Sequence, residues 1–174
     1  MIAEIGHFSL ILALMIATMQ SILPLVGAHR HNYNLVEFAS FAAIAQWAFV
    51  VVAMSALIYA FGTADMSVLL VANHSNASMP LPYRLSASWG NHEGSLLLWI
   101  LMLSTFGGAL AGFGRGLPQT LKARTLAIQG MISFAFLAFS ILTSNPFERL
   151  DTPSVGDMEL NPLLQDIGLI LHPP

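Results

Sequence analysis

The sequence predicts an all-α, polytopic integral membrane protein with about four transmembrane helices and two segments on its outer face. Only 9% of the 174 residues are charged and 56% are apolar, whereas a soluble domain carries about 25% charged residues. A spanning helix needs roughly 20 apolar residues, and four stretches of sufficient length contain no Asp, Glu, Lys or Arg: 5–29, 38–64, 94–114 and 125–147. Backbone amides in hydrocarbon must pair within their own segment, so helices are expected.

The predicted spans of this single membrane domain (1–174) are, in chain order, 5–28, 38–62, 94–114 and 125–144. The first contains an unbroken run of mostly apolar residues that lacks the alternation of a β-barrel strand. The third begins after Asn91, a residue type that caps helices, and Glu93, an anion favoured in a first helical turn. The remaining segments, 63–93 and 145–174, are predicted to lie outside the bilayer.

The basic residues predict the orientation of these spans. The short loops after spans 1 and 3 hold four of the six Lys and Arg residues: Arg30, Arg115, Lys122 and Arg124. Cytoplasmic loops carry such an excess. We therefore expect both termini and segments 63–93 and 145–174 on the outer, periplasmic side, with the reverse orientation as the alternative.

The end of the sequence predicts a short helix at the membrane surface. Asn161-Pro162 is typical of an N-cap followed by proline at the first helical position, and mostly apolar residues follow. His172 precedes Pro173, which disfavours helical backbone at the histidine and ends the helix there. An imidazole at this place is able to ligate haem iron. On these residues alone, a helix-terminating histidine without special function is the better interpretation.

Several function classes are excluded or disfavoured. The chain has no cysteine, so disulfides, cysteine metal sites and a thiol nucleophile are excluded. The pair His92-Glu93 is not a zinc-protease motif, because Leu96 stands where the second histidine is required. A transporter or channel is disfavoured, because the predicted spans contain no Asp, Glu, Lys or Arg and such pathways usually need buried ionisable groups. For His92-Glu93 itself, a helix-start role and a functional role are equally supported by spacing.

Three ordered blocks carry a resemblance to a known family. They are Trp89-Gly90-Asn91-His92-Glu93-Gly94-Ser95-Leu96-Leu97-Leu98-Trp99, Thr143-Ser144-Asn145-Pro146-Phe147, and Leu160 through Pro174. These blocks, with the similar opening Glu4-Ile5-Gly6-His7-Phe8, resemble the CcmF-type cytochrome c haem lyases. The nitrite-reductase-specific haem lyases belong to the same haem-handling family.

The resemblance implies a function in cytochrome c maturation. Proteins of this family lie in the bacterial inner membrane, or less commonly its mitochondrial counterpart. They take haem from a periplasmic haem chaperone and attach it to cysteine thiols of apocytochrome c. His172 occupies the position of a proposed axial ligand to the haem iron. Trp89, Gly90, His92, Glu93 and Gly94 fall on an outer-face motif whose role is less settled.

The sequence also departs from the family pattern. The tryptophan-rich haem platform, a second outer histidine and the transmembrane haem b histidines lie downstream in the family and have no counterpart here. Ile167 stands where proline is usual. We therefore expect lyase activity only together with a C-terminal lyase half or other maturation subunits. The alternative is a non-catalytic scaffold that docks the haem chaperone or apocytochrome through 63–93. A truncated lyase, a fragment and a split-lyase subunit all fit the sequence.

Overall fold

The computed structural model describes residues 1–150 and places most of them in six helices. These are α1 (Ile2–Arg30), α2 (Tyr33–Gly62), α3 (Leu69–His74), α4 (Leu81–Ala87), α5 (His92–Phe113) and α6 (Gln119–Thr143). Within residues 1–150 there is no strand, only an isolated antiparallel bridge between Val68 and Arg149. Helices α1, α2, α5 and α6 are long and apolar enough to cross a membrane. The prediction of an all-α protein with four spans is confirmed.

The surfaces of the long helices explain why they belong in lipid. Large apolar side chains are highly exposed on all four of them, for example Phe8, Phe41, Phe106 and Leu142. A helix that is apolar all round is either buried in protein or surrounded by lipid. With 22 residues, α5 is the shortest of the four, and at about 1.5 Å per residue it still reaches roughly 33 Å, enough for the hydrocarbon core.

Two of these helices end in a left-handed residue that is not glycine. His31 after α1 and Ala64 after α2 have φ angles of 54° and 51°. The N–H of Asp65 then donates to the carbonyl oxygen of Ala60 at 2.9 Å, which is the Schellman ending of a helix. The same pattern follows α1, and it reverses the chain within two residues so that α2 begins at Tyr33.

The chain divides into two compact units, and each long helix contributes residues to both. Unit 1 contains Met1–Phe8, Val52–Trp99 and, in the described part, residues 140–150; unit 2 contains Ser9–Val51 and Ile100–Phe139. A cluster of mostly small residues forms part of the core of unit 2: Ala28, Val36, Ala39, Ala43, Ala111, Ala123 and Leu126. Small side chains let helices approach closely, which drives helix association in lipid.

Hydrogen-bonded glutamines also join helices inside unit 2. Gln20 of α1 is fully buried, and its Nε2 donates to the carbonyl oxygen of Leu126 at 2.8 Å and to Oε1 of Gln129 at 2.7 Å. Gln46 of α2 is equally buried, yet neither atom of its amide has a hydrogen-bond partner among the described residues. The Oε1 of Gln20 also lacks a partner among the described residues, so only its Nε2 is satisfied. Gln46 is unsatisfied at both ends of its amide, which is the more costly situation in an apolar surrounding.

Lys122 differs from its predicted place in a loop. It lies in the first turns of α6 and is only 7% exposed. Its Nζ donates to the carbonyl oxygen of Ala111 at 2.6 Å. The last carbonyls of a helix lack intrahelical partners and carry partial negative charge, so a lysine is stabilised there. Lys122 thus caps α5, a role that a loop assignment from charge alone overlooks.

Candidate functional site

The connection between α4 and α5, which we call the corner, contains the motif residues 89–94, and all of them belong to unit 1. Asn91 joins the two helices. Its Nδ2 donates to the carbonyl oxygen of Ala87 at 2.7 Å, and its Oδ1 accepts from the N–H of Gly94 at 2.6 Å. Asn91 is therefore the N-cap of α5, as the sequence predicted, and its two bonds fix the direction in which α5 leaves the corner.

Gly94 is required by the close approach of the backbone at this corner. A Cβ atom at position 94 would overlap the backbone carbonyl oxygen of Ser88. Ser88 is fully buried, and its hydroxyl donates to the carbonyl oxygen of Leu85 at 2.6 Å, so it is not free to retreat. A glycine is the only residue that fits without displacing backbone.

The side chains of the motif differ in exposure. His92 is exposed, whereas Trp89 and Glu93 are half-buried. Glu93 lies in the first turn of α5, where the partial positive charge of the helix end favours a carboxylate. Adjacent residues of a helix do not face each other, so His92 and Glu93 do not converge on one ion. Residues 1–150 contain no group of three or more His, Cys, Asp and Glu side chains that could hold a metal.

A second cluster in unit 1, which we name the N-terminal junction, joins the start of α1 to residues 145–150. The Nδ2 of Asn145 lies 3.2 Å from the Nδ1 of His7. The ring of the buried Phe147 rests against Gly6, where a Cβ atom would overlap it. Two of the sequence stretches that carried the family resemblance are therefore in direct contact.

Backbone pairing continues this junction into segment 63–93. Residues 67–69 pair with 148–150 in a short antiparallel contact around the isolated bridge. The N–H of Leu69 donates to the carbonyl oxygen of Glu148 at 2.8 Å. The two segments that the sequence predicts on the outer face are thus held to each other before the chain passes residue 150.

Arg149 ties three parts of the junction together. Its Nη1 donates to Oε1 of Glu4, and its Nη2 donates to the hydroxyl of Ser67 at 3.0 Å. The carboxylate of Glu4 also forms an ion pair with the amino group of Met1, at 2.5 Å. These groups are largely exposed, so the ion pairs add little stability. Arg149 instead contributes specificity, because its contacts determine which segments meet at the junction.

Sequence reasoning found part of this site. The stretches that contain His7 and Asn145 carried the family resemblance, but their contact was not predicted. The pairing of Arg149 with Glu4 and Ser67 was also missed. The available signal was that Glu4, His7, Asn145 and Arg149 all lie near predicted membrane boundaries on the predicted outer side. His172 and the predicted surface helix from Asn161 lie outside the described residues, so the proposed haem ligand stays a prediction.

Comparison with known proteins identifies the family. A family model described as "Cytochrome C assembly protein" matches residues 89–174, beginning at the corner. The cytochrome c-type biogenesis protein ccl1 of Rhodobacter capsulatus is 50% identical over 174 residues, which cover 100% of this chain and 27% of that protein. The cytochrome c-type biogenesis protein CcmF of Pseudomonas aeruginosa is 53% identical over 176 residues, with the same coverage of both chains. The chain belongs to the CcmF-type family of cytochrome c biogenesis proteins.

A solved structure supports the fold of this CcmF-type chain. It is named Cytochrome c Heme Lyase CcmF, and it superposes with a TM-score of 0.80 at 24% identity over 87% of this chain and 26% of that one. The CcmF-type chain therefore spans about a quarter of the length of the proteins it matches. Its four apolar helices and bacterial relatives make it a multi-pass membrane protein, and the names of its relatives support a role in cytochrome c maturation.

Proposed function

We propose that this chain is the N-terminal part of a cytochrome c haem lyase, which attaches haem covalently to apocytochrome c. The observation that carries the proposal is 50% identity along the whole chain to a cytochrome c biogenesis protein. Because the chain spans 27% of that relative, activity requires the remainder of the lyase or other maturation subunits. A haem chaperone would deliver the haem, and apocytochrome c would receive it.

In this reaction the expected contribution of the chain is to position the haem relative to the cysteine thiols. A cysteine S–H of apocytochrome c adds across a haem vinyl C=C to form a thioether, and no leaving group departs. Holding both reactants in the correct geometry accounts for much of the acceleration of such a step. His172 would bind the iron of the substrate haem as one axial ligand and keep the ring oriented while the thiols attack.

The corner motif would form part of the surface that receives the substrate. Trp89 and the exposed His92 lie together at a corner that Asn91 and Gly94 hold rigid. The family resemblance places His172 at one iron-ligand position and the second outer histidine downstream, so the iron ligands would be His172 and a residue of the remaining lyase. We assign contact with haem or its carrier, rather than iron ligation, to Trp89, Gly90, His92, Glu93 and Gly94.

The location that best fits the chain is the bacterial inner membrane, with N- and C-termini in the periplasm. Four of the six Lys and Arg residues belong to unit 2. Arg30 ends α1, Arg115 lies between α5 and α6, and Lys122 and Arg124 lie in the first turns of α6. Residues 1–8, 63–93 and 145–150 all belong to unit 1. This grouping supports one common side for the start of the chain and both predicted outer segments.

Substitution of His172 in the assembled lyase tests the proposal. His172→Ala is expected to reduce both the haem retained by the purified lyase and the amount of holocytochrome c, measured by haem staining of the cytochrome. His74→Ala is the matched control, because His74 is a histidine of segment 63–93 outside the motif. Unchanged haem retention and unchanged cytochrome maturation in His172→Ala would refute the ligand role.

A non-catalytic docking role is the second candidate. Segment 63–93 is folded, with α3 and α4 held against residues 145–150 and the corner, and it exposes Ala77 and Ser78. Photocrosslinkers at these two positions are expected to capture the haem chaperone or apocytochrome, while one at the exposed Gly116 of unit 2 is not. Absence of both partners from the crosslinks at 77 and 78 would eliminate docking through this segment.

A further inference from the structure

Arg84 of α4 is a cation without a carboxylate partner among the described residues. Both ion pairs within residues 1–150 involve Glu4, and neither includes Arg84. Its Nε is buried and has no hydrogen-bond partner in the described part of the chain, although the residue as a whole is partly exposed. An unpaired donor of a charged group is costly to bury, so this guanidinium is suited to an anion that comes from elsewhere.

The position of Arg84 places it next to the corner motif. Arg84 lies one helical turn before Ala87, whose carbonyl oxygen accepts from Asn91. His92 follows Asn91 directly as the first residue of α5. Because Asn91 joins α4 to α5, the helix that carries Arg84 and the motif residues belong to one corner.

The short helix α4 that carries Arg84 also borders an apolar groove in unit 1. Leu85, the residue after Arg84, lines the groove together with Ile58, Tyr59 and Gly62. The groove has a volume of about 410 Å³. A Cβ atom at Gly62 would lie 3.5 Å from a methyl group of Leu85, so α4 packs closely on the end of α2. Small-molecule sites combine such apolar walls with a few polar groups that fix orientation.

Haem matches this combination, since it is a flat, largely apolar ring with two propionate carboxylates on one edge. We propose that Arg84 binds a propionate of the substrate haem while the groove at Leu85 accepts part of the ring, an inference that rests on the proposed haem lyase function. Arginine presents paired N–H donors that fit a carboxylate in a bidentate manner. Arg84 is then a substrate-orienting residue that fixes which edge of haem faces the corner.

The decisive experiment compares haem with its dimethyl ester, in which both propionates are uncharged. Each is titrated, by its absorption spectrum, into the protein purified at full length from its own membranes. Arg84→Gln is expected to weaken binding of haem by about 10-fold and to leave binding of the dimethyl ester unchanged. Arg124→Gln, at an exposed arginine of α6 in unit 2, is the matched control and is expected to alter neither.

Each outcome separates the orienting role from the alternatives. Equal weakening of haem and ester by Arg84→Gln would overturn the inference and indicate that Arg84 has a structural role. No effect on either ligand would overturn it as well. If the unsubstituted protein bound neither porphyrin, the proposed haem lyase function itself would fail, independently of Arg84.

A milder variant covers the case in which Arg84→Gln does not accumulate in membranes. Arg84→Lys keeps the positive charge but loses the bidentate geometry, so it is expected to retain a preference for haem over the ester that is smaller than that of the unsubstituted protein. If the unsubstituted protein showed no preference for haem over the ester, the orienting role would be refuted without any variant.

Discussion

The two buried glutamines of unit 2 provide a matched pair of substitutions. Gln20→Leu removes hydrogen bonds to Leu126 and Gln129. Gln46→Leu removes an amide with no partner among the described residues. Both side chains are fully buried, and leucine is close to glutamine in size, so the two substitutions differ mainly in the hydrogen bonds lost.

The expected magnitudes have opposite signs. A hydrogen bond between membrane helices contributes about 0.6 kcal/mol on average and about 1.7 kcal/mol at most, so loss of two bonds at Gln20 costs about 1–3 kcal/mol. Removal of the unpartnered Oε1 of Gln20 offsets part of this cost, so we expect a net destabilisation at the lower end of that range. An unsatisfied buried polar group costs about 1–3 kcal/mol. Gln46→Leu should therefore leave stability unchanged or raise it by up to about 2 kcal/mol, after allowance for imperfect packing.

The free energy of unfolding in mixed detergent micelles, followed by circular dichroism, measures both effects. Gln129→Leu is a useful third variant, because it should reproduce much of the effect of Gln20→Leu and be non-additive with it. If Gln46→Leu destabilised the protein as much as Gln20→Leu, Gln46 would have a partner in the membrane, such as a buried water, and the reasoning would be refuted.

Three further predictions concern helix ends, the corner and orientation. Ala64→Gly should stabilise the protein by about 1 kcal/mol, because Ala64 has a left-handed backbone conformation that glycine adopts without a steric cost. An unchanged free energy of unfolding would contradict this. Gly94→Ala should destabilise the protein by about 1–3 kcal/mol, because the added methyl group overlaps the carbonyl oxygen of Ser88. The same assay measures this change, and an unfolding free energy equal to that of the unsubstituted protein would show that the backbone at the corner shifts to accept the methyl group. The chain lacks cysteine, so an impermeant thiol reagent applied to intact cells should label Ala77→Cys and not Gly116→Cys; the reverse result would invert the topology.

The sequence allowed the four spans to be predicted because the signal is local. A run without charge, such as 38–64, is sufficient to identify a helix in lipid, and α2 covers most of it as Tyr33–Gly62. The helix cap at Asn91 was equally local and was found. Lys122 was assigned to a loop, because its charge is visible in sequence while the carbonyl of Ala111 that stabilises it is not.

The candidate site was less predictable, since its contacts are distant in sequence. His7 and Asn145 are separated by 138 residues, and no local pattern relates them. The lack of a hydrogen-bond partner for the Nε of Arg84 among residues 1–150 is likewise a property of what surrounds it in space. His172 was identified only through a family resemblance, and its placement lies beyond residue 150, so the proposed ligand stays a prediction that the described fold does not test.

The N-terminal junction has a consequence for the order in which the protein matures during synthesis. The first turns of α1 emerge early, but Asn145 and Arg149, which hold them, are made about 140 residues later. At about 5–20 residues per second, His7 waits roughly 7–28 s for its partner. During that interval Glu4 and His7 lack these two partners, so the N-terminal junction stays unformed and open to a chaperone or a protease until residue 149 has been made.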